Sequence, residues 1–247
     1  MTFSIEVRNK GGLRTLHFES QCTQGAMRIG HPDELVLEYT RTMMAALLLR
    51  EQPFPRNVLL VGLGAGSLLK FLYRHFPQAQ LTAVEISPRV VAVAHEQFEL
   101  PADAARIEIV VGDGYDYVRD TQRHFDLILV DGFNEHAHPG QLNTRPFYAA
   151  CRERLDAQGV LAVNLIGLSR GVQGGFVHID AAFEGRALLL PRCKSGNTIA
   201  CAVRGAAVEL GLDELQRRAE ALAARSGVAL QPLIARLGEE RGRWLRL

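Results

Sequence analysis

A glycine-rich turn is the first feature of this sequence that could bind a ligand. Gly62, Gly64 and Gly66 alternate in "VGLGAGSLLKFL", directly after an apolar run and directly before a helical pattern. Glycine permits positive φ angles and a close approach of a ligand to the backbone, and the following helix offers unpaired N–H groups. The spacing is GxGxG with Ser67 next, which departs from the GxGxxG dinucleotide fingerprint. The turn therefore favours a nucleoside with a sulfonium tail, as in S-adenosylmethionine (AdoMet), with a merely structural turn as the alternative.

Three carboxylates follow at the ends of later apolar runs. Glu85 closes "AVEIS", about 20 residues on, where an acid can accept both ribose hydroxyls. Asp113 precedes Gly114 in "VVGDGYDYV" and could accept a hydrogen bond from the adenine amine, and Asp131 closes "FDLILVD". Each acid alone could be a helix cap or a solvated charge. Three acids in register with one glycine turn favour a nucleoside site, and Asp131 could also take a proton from an attacking amine.

Strand-like and helix-like patterns that alternate along the chain would position these groups. The strand-like runs from residue 57 to residue 165 are almost continuously apolar, as in a parallel sheet covered on both faces. The runs "RALLLP" and "NTIACAV" are separated only by "RCKSG", which is too short for a parallel crossover. We therefore predict an α/β fold like that of AdoMet-dependent methyltransferases (Rossmann-like). Its sheet would be mainly parallel and seven-stranded, with an antiparallel last strand.

The same patterns divide the chain into three units. Residues 1–31 read as a small N-terminal β unit, 32–205 as the nucleoside-binding α/β catalytic domain, and 206–247 as a C-terminal helical extension. Within them we predict a helix capped by Asp33, a flexible connection at the glycine-rich residues 167–176, and a C-terminal helix followed by a basic tail.

Composition narrows the class of protein. The 247 residues are 47% hydrophobic and carry a net charge of +1, which gives no electrostatic case for a nucleic-acid partner. No apolar stretch is long enough to span a membrane, and no signal core is visible, so we expect a cytoplasmic protein. The cysteines have no metal-ligand spacing and are expected to be free thiols: Cys22, Cys151, Cys193 and Cys201.

Together these motifs resemble the polyamine aminopropyltransferase (spermidine synthase) family over roughly residues 20–205. The resemblance rests on "DELVLEYTRTMMAALLL", "VGLGAGSLLKFL", "AVEISPRVVAVAHEQF", "VVGDGYDYV", "FDLILVDGF…HPGQLNTRPFY" and "PRCKSGNTIACAV". It implies that Glu85 holds the ribose, that Asp113 holds the adenine, and that Asp131 takes the proton from the attacking amine. It also implies that Tyr39 lines the active site and that the protein forms a homodimer.

Two positions depart from that family. Ala65 stands where the family's glycine turn carries an Asp that grips the amine of the aminopropyl tail, and Asn134 replaces a second acid. Both stay candidate ligands, Ala65 in the glycine turn for the nucleoside donor and Asn134 for the acceptor substrate. Asn164, at the end of "GVLAVNL", could line the acceptor pocket or cap the strand. His136 and His138 lie in the loop "NEHAHPGQLN", which we expect to cover the site; surface histidines are preferred over acid–base groups or metal ligands.

The expected activity is aminopropyl transfer from decarboxylated AdoMet to a small amine, releasing methylthioadenosine, without a metal or a covalently bound cofactor. The first alternative is a methyltransferase that uses intact AdoMet and releases S-adenosylhomocysteine, because Ala65 offers no anion to an ammonium. The second is a catalytically silent nucleoside-binding module. A dehydrogenase is disfavoured by Ser67.

Overall fold

Strands alternate with helices in the computed structural model, which describes residues 4–18, 23–134 and 138–247. The strands of this part of the chain are β1 (Glu6–Lys10), β2 (Leu13–His17), β3 (Thr23–Arg28), β4 (Asn57–Val61), β5 (Gln80–Glu85), β6 (Ile107–Val111), β7 (Phe125–Val130), β8 (Leu155–Leu165), β9 (Ala187–Leu189), β10 (Thr198–Val203), β11 (Glu209–Gly211) and β12 (Trp244–Arg246). Its α-helices are α1 (Glu38–Met43), α2 (Ser67–His75), α3 (Pro88–Gln97), α4 (Gly114–Asp120), α5 (Arg145–Arg154), α6 (Ser169–Ala182), α7 (Leu212–Ser226) and α8 (Gln231–Arg241). Two 3-10 helices cover Met44–Leu48 and Gly140–Asn143.

The central sheet has seven strands in the order β6-β5-β4-β7-β8-β10-β9. Neighbouring strands from β6 to β8 are parallel, whereas β10 is antiparallel to both β8 and β9. The predicted α/β, methyltransferase-like sheet with an antiparallel last strand is therefore confirmed.

Both faces of this sheet are buried, which explains its apolar strands. Val58 and Leu60 of β4 point into one apolar cluster, and Leu59 and Val61 point into the other. This alternation follows from the two-residue period of a strand.

The N-terminal strands form a separate antiparallel sheet, β1-β2-β3, as predicted. Its apolar side packs on the glycine turn, because Leu16 and Met27 share a buried cluster with Ala65 and Phe98. The Ser67 hydroxyl donates a hydrogen bond to the Ala26 carbonyl at 3.1 Å, which ties β3 to the start of α2.

The C-terminal residues differ from the predicted single helix with a basic tail. A second helix, α8, follows α7, and β12 pairs with β11. The tail prediction is wrong because apolar residues of this segment, among them Leu222, Ile234, Leu237 and Leu245, pack into the cluster on one face of the central sheet. The division into units 1–31, 32–205 and 206–247 stays a prediction.

Two local predictions are also wrong. Asp33 does not cap a helix: the N-cap of α1 is Leu37, which has extended backbone angles, and the Asp33 carboxylate lies 3.2 Å from His75 Nε2. The glycine-rich residues 167–176, predicted to be a flexible connection, lie largely in α6. Val172 and Ile179, seven positions apart, are both buried on one side of this helix, and that burial offsets the weak helix propensity of glycine.

Three of the cysteines, Cys151, Cys193 and Cys201, are free and buried, as predicted. Cys22 lies outside the described residues. Among the helices that the structure describes, none is long and apolar enough to cross a membrane.

Candidate active site

Five adjacent strands carry the candidate residues to one edge of the sheet. Asp113 follows β6, Glu85 ends β5, Gly62 follows β4, Asp131 follows β7 and Asn164 lies near the end of β8. This edge holds the carboxyl ends of the parallel strands, where ligand crevices open in such sheets. With about 4.8 Å between strands, the row is roughly 20 Å long, enough for a nucleoside and a tail.

The glycine turn adopts backbone conformations that side chains disfavour. Gly62, Gly64 and Gly66 have φ angles of +98°, +53° and +68°. A Cβ on Gly62 would collide with the main-chain oxygen of Asp131, so glycine is required for β4 and β7 to leave the sheet side by side. The turn thus brings bare backbone next to the residue predicted to act as the base.

Glu85 fixes the glycine turn from the end of β5. Its Oε2 accepts a hydrogen bond from the backbone N–H of Leu63 at 3.0 Å, and its Oε1 accepts one from the N–H of Ser87 at 3.0 Å. The side chain is 9% exposed. Each carboxylate oxygen has a second lone pair, so the carboxylate can also accept hydrogen bonds from ribose hydroxyls.

Asp113 has the helix-capping role that was weighed for it, and its contact with adenine stays a prediction. It is the N-cap of α4, and its Oδ1 accepts hydrogen bonds from the N–H groups of Tyr115 and Asp116 at 2.7 and 3.2 Å. The residue is exposed at the crevice edge, and its Oδ2 points to no partner among the described residues. Gly114 follows, and a Cβ there would collide with Val61.

Asp131 is held by two hydrogen-bond donors. The Tyr39 hydroxyl donates to its Oδ2 at 3.1 Å, and the Asn164 Nδ2 donates to its Oδ1 at 2.8 Å. Burial raises the pKa of the Asp131 carboxyl above its ordinary value, while the hydrogen bonds from Asn164 and Tyr39 act in the opposite direction. Burial and the neighbouring carboxylate together raise the pKa of Tyr39 well above its ordinary value, so the phenol stays a donor.

The structure adds two residues that sequence reasoning missed. Asn197 Nδ2 donates a hydrogen bond to Asn164 Oδ1 at 3.0 Å, and the Ser195 hydroxyl donates to Asn197 Oδ1 at 2.7 Å. Both residues lie in "KSGN", within a motif that carried the family resemblance but had no role assigned. Their hydrogen-bond chain ends on Asp131.

Ala65 does not offer its side chain to the crevice. It is 2% exposed and packs against β3, where a Cβ on Gly25 would lie 2.6 Å from the Ala65 Cβ. Of the predicted nucleoside contacts at this residue, only those through its backbone are compatible with the structure.

The described part of the loop after β7 lies beside this edge. Asn134, predicted to bind the acceptor substrate, uses its side-chain oxygen within the loop, where it accepts a hydrogen bond from the backbone N–H of His138 at 2.9 Å. Leu142 lies against Gly114 and Gly132, and the covering of the site by this loop stays a prediction. His136 falls outside the described residues, and across the described ranges no cluster of three or more His, Cys, Asp or Glu side chains is placed to hold a metal ion.

The strand order, the glycine turn and the acids at one sheet edge define a Rossmann-like protein of the methyltransferase-fold class. A family model described as the spermine/spermidine synthase domain matches residues 37–164. A polyamine aminopropyltransferase of Neisseria meningitidis serogroup A is 34% identical over 233 residues, covering 94% of this chain and 88% of the relative. The chain belongs to the spermine/spermidine synthase family. The relatives of this chain that are named polyamine aminopropyltransferase are transferase enzymes.

Solved structures agree with the fold. A probable spermidine synthase from Corynebacterium glutamicum superposes with a TM-score of 0.71 at 20% identity, covering 81% of this chain and 77% of that one. Human methyltransferase-like protein 13 in complex with SAH superposes with a TM-score of 0.68 at 26% identity, covering 77% of this chain and 93% of that one. The predicted family and fold are confirmed.

Proposed function

We propose that this protein transfers an aminopropyl group from decarboxylated AdoMet to a small amine, a step of polyamine biosynthesis. Membership of the spermine/spermidine synthase family supports the reaction class. The single observation that carries the mechanism is the Asp131 carboxylate, held by Tyr39 and Asn164 beside the glycine turn.

Asp131 would orient the acceptor amine and accept its proton. An amine is a nucleophile only when it is unprotonated, and a carboxylate within hydrogen-bond reach can take the proton as the nitrogen attacks. Burial raises the pKa of Asp131, which makes its carboxylate a better proton acceptor than an exposed aspartate, and the hydrogen bonds from Asn164 and Tyr39 favour the ionised form. Tyr39 and Asn164 occupy one lone pair on each oxygen, which leaves both oxygens able to accept from the amine.

The sheet edge fits a nucleoside sulfonium. Glu85 has free lone pairs for two ribose hydroxyls, and Asp113 has a free oxygen for the adenine amine. When bound, the sulfonium supplies an activated carbon and a good leaving group. The amine nitrogen would form the new C–N bond, the C–S electron pair would return to sulfur, and methylthioadenosine would leave. The chain's own contribution is alignment and proton removal, for which its residues need no metal.

The test is a direct activity assay with purified protein, decarboxylated AdoMet and a panel of linear diamines. Mass spectrometry should detect methylthioadenosine and an aminopropylated amine in equal amounts. The Asp131→Asn variant, which keeps the size of the side chain, should lose product formation. Absence of both products from the wild-type protein with every diamine would contradict the proposal.

A second candidate, methyl transfer from intact AdoMet, is favoured by one observation. Ala65 carries no charge to pair with the donor's terminal ammonium, and its methyl group is buried against β3. The similarity to a methyltransferase-like protein solved with SAH supports this candidate. S-adenosylhomocysteine formation from AdoMet in the same assay, without methylthioadenosine, would select methyl transfer.

Two further expectations stay proposals: a homodimer, which the family resemblance implies, and a cytoplasmic location, which the apolar pattern of the sequence favours. Light scattering coupled to size-exclusion chromatography measures the first, and cell fractionation measures the second. A monomer across micromolar concentrations would contradict the dimer.

A further inference from the structure

The turn between β9 and β10 contacts Asn164, one of the two residues that hold Asp131, and Glu38, the chain neighbour of the other. From one side, Asn197 donates to the Asn164 carboxamide at 3.0 Å. From the other side, the Lys194 N–H donates to Glu38 Oε2 at 2.8 Å, and Glu38 is the neighbour of Tyr39 in α1. The turn therefore bridges β8 and α1, the two elements that supply the donors.

The direction of the hydrogen-bond chain determines which end of Asn164 faces the carboxylate. A carboxamide has one acceptor end and one donor end. Since the Asn164 oxygen accepts from Asn197, its Nδ2 points to Asp131 Oδ1. Asn197 is itself oriented, because its oxygen accepts from the Ser195 hydroxyl at 2.7 Å. Without the Asn197 donor, Asn164 could turn over and place its oxygen against the carboxylate, which is repulsive.

The backbone of the turn is closed, so Asn197 starts from a fixed position. The Cys193 N–H donates to the Asn197 carbonyl at 2.8 Å, and the Gly196 N–H donates to the Cys193 carbonyl at 3.0 Å. Gly196 has a φ angle of +93°, a conformation that favours glycine. The Cys193 thiol also lies 3.5 Å from the Thr42 hydroxyl, a second link to α1. The Asn197 side chain is 8% exposed, which limits its replacement by water.

We propose that Asn197 is a positioning residue for the Asp131 base, acting through Asn164. Its role is to keep a donor, and never an acceptor, facing Asp131 Oδ1. The inference rests on the proposed function, in which Asp131 accepts the proton of the amine. Among the described residues, Tyr39 of α1 is the titratable group that is hydrogen-bonded to Asp131, and the Glu38 carboxylate instead accepts the Lys194 N–H of the turn.

The test compares the pH dependence of kcat in three variants. Asn197→Leu keeps the side-chain shape but cannot donate, so the acidic limb of the profile should move up by about one pH unit, a tenfold change in the ionised fraction. Ser195→Ala removes only the group that orients Asn197; this exposed residue can be replaced without unfolding, and the limb should move less, in the same direction. Thr198→Val, at the next and equally buried position, is the matched control and should leave the limb unmoved.

A merely structural role for Asn197 predicts a different result. In that case kcat would fall by the same factor at every pH, with the limb in its wild-type place, and the proposal would be overturned. Should Asn197→Leu fail to fold, an unmoved limb in Ser195→Ala would overturn it equally. The KM for the sulfonium donor should stay within about twofold in every variant, since the turn contacts neither Glu85 nor the glycine turn.

A measurement without turnover separates this inference from the proposed function. Carbon-13 NMR of the labelled aspartate carboxyls can follow the titration of Asp131, assigned by its loss in Asp131→Asn. The Asp131 pKa should rise in Asn197→Leu relative to the wild type and Thr198→Val. A wild-type protein that forms no methylthioadenosine would refute the function alone, whereas an unchanged Asp131 titration in Asn197→Leu would refute the positioning role alone.

Discussion

Replacement of Glu85 by glutamine separates the two roles that the structure gives this residue. The Glu85 carboxylate accepts the N–H groups of Leu63 and Ser87, one on each oxygen. Glutamine keeps the size of the side chain but has only one acceptor oxygen, so its NH2 group must face one of these N–H groups. The change therefore loosens the glycine turn and removes one of the acceptors for the ribose.

The magnitude follows from these contacts. A hydrogen bond to a charged group contributes about 1.5–3 kcal/mol, and leaving a buried partner unsatisfied costs a similar amount. We expect Glu85→Gln to lower the free energy of unfolding by about 1–3 kcal/mol. We also expect it to weaken methylthioadenosine binding by about 1–3 kcal/mol, which is roughly 5- to 150-fold in Kd. Urea unfolding measures the first change, and titration calorimetry of the folded variant measures the second.

Asp126 offers a matched control at the opposite edge of the same sheet. Its carboxylate accepts the N–H groups of Arg56 and Asn57 at 2.6 and 3.0 Å, the same chemistry as at Glu85 but at the amino ends of β4 and β7. Asp126→Asn should lower stability by a comparable amount and leave methylthioadenosine affinity unchanged. Equal affinity in folded Glu85→Gln and in the wild type would refute the assignment of the ribose to Glu85.

Three further predictions concern single side chains. Burial lowers the pKa of Lys70 to about 8, so between about pH 8 and 10.5 the unfolded chain binds more protons than the folded chain, and the free energy of unfolding should rise with pH. Lys70→Met should remove about 3 kcal/mol of this rise. If denaturant unfolding gives the same dependence of the unfolding free energy on pH in the variant, the prediction is contradicted. Ala65→Asp would bury a carboxylate against Gly25 and should lower the free energy of unfolding by about 2–5 kcal/mol, as measured by thermal or urea unfolding. A variant with wild-type stability and tighter binding of decarboxylated AdoMet would mean instead that the donor's tail passes residue 65. Tyr39→Phe removes one hydrogen-bond donor to Asp131, so kcat at neutral pH should fall about tenfold and the acidic limb of the kcat–pH profile should move upward, with the affinity for the sulfonium donor unchanged. A wild-type pH profile in this variant would show that the phenol does not act on the base.

The sheet and its ligand edge were predictable because their signals are local and periodic. Apolar runs such as "NVLLV" and "FDLILV" predict buried strands, and the short link before "NTIACAV" already requires an antiparallel neighbour. The helix limits around Asp33 were not predictable, since the ion pair with His75 joins residues 42 positions apart. The helix through residues 169–182 was hidden by its glycines, whose low propensity is offset by burial against other elements.

For the site, sequence order placed residues at strand ends but could not give their mutual contacts. Asp131 and Asn164 were both candidates, yet only the pairing of β7 with β8 shows that they touch. Asn197 had no signal of its own, because its partner is 33 residues earlier and its role depends on amide orientation. Ala65 was assigned by analogy of position, and the packing of β3 over the turn, a tertiary contact, decides where its side chain lies.

The central claim is that Asp131 removes the amine proton during transfer to the acceptor. The most direct measurement is single-turnover formation of methylthioadenosine from bound decarboxylated AdoMet, with and without a diamine, in the wild type and in Asp131→Asn. We predict that the variant binds the donor within about twofold of the wild type but forms methylthioadenosine about 10²–10⁴ times more slowly. A variant that transfers the aminopropyl group at the wild-type rate would contradict the account.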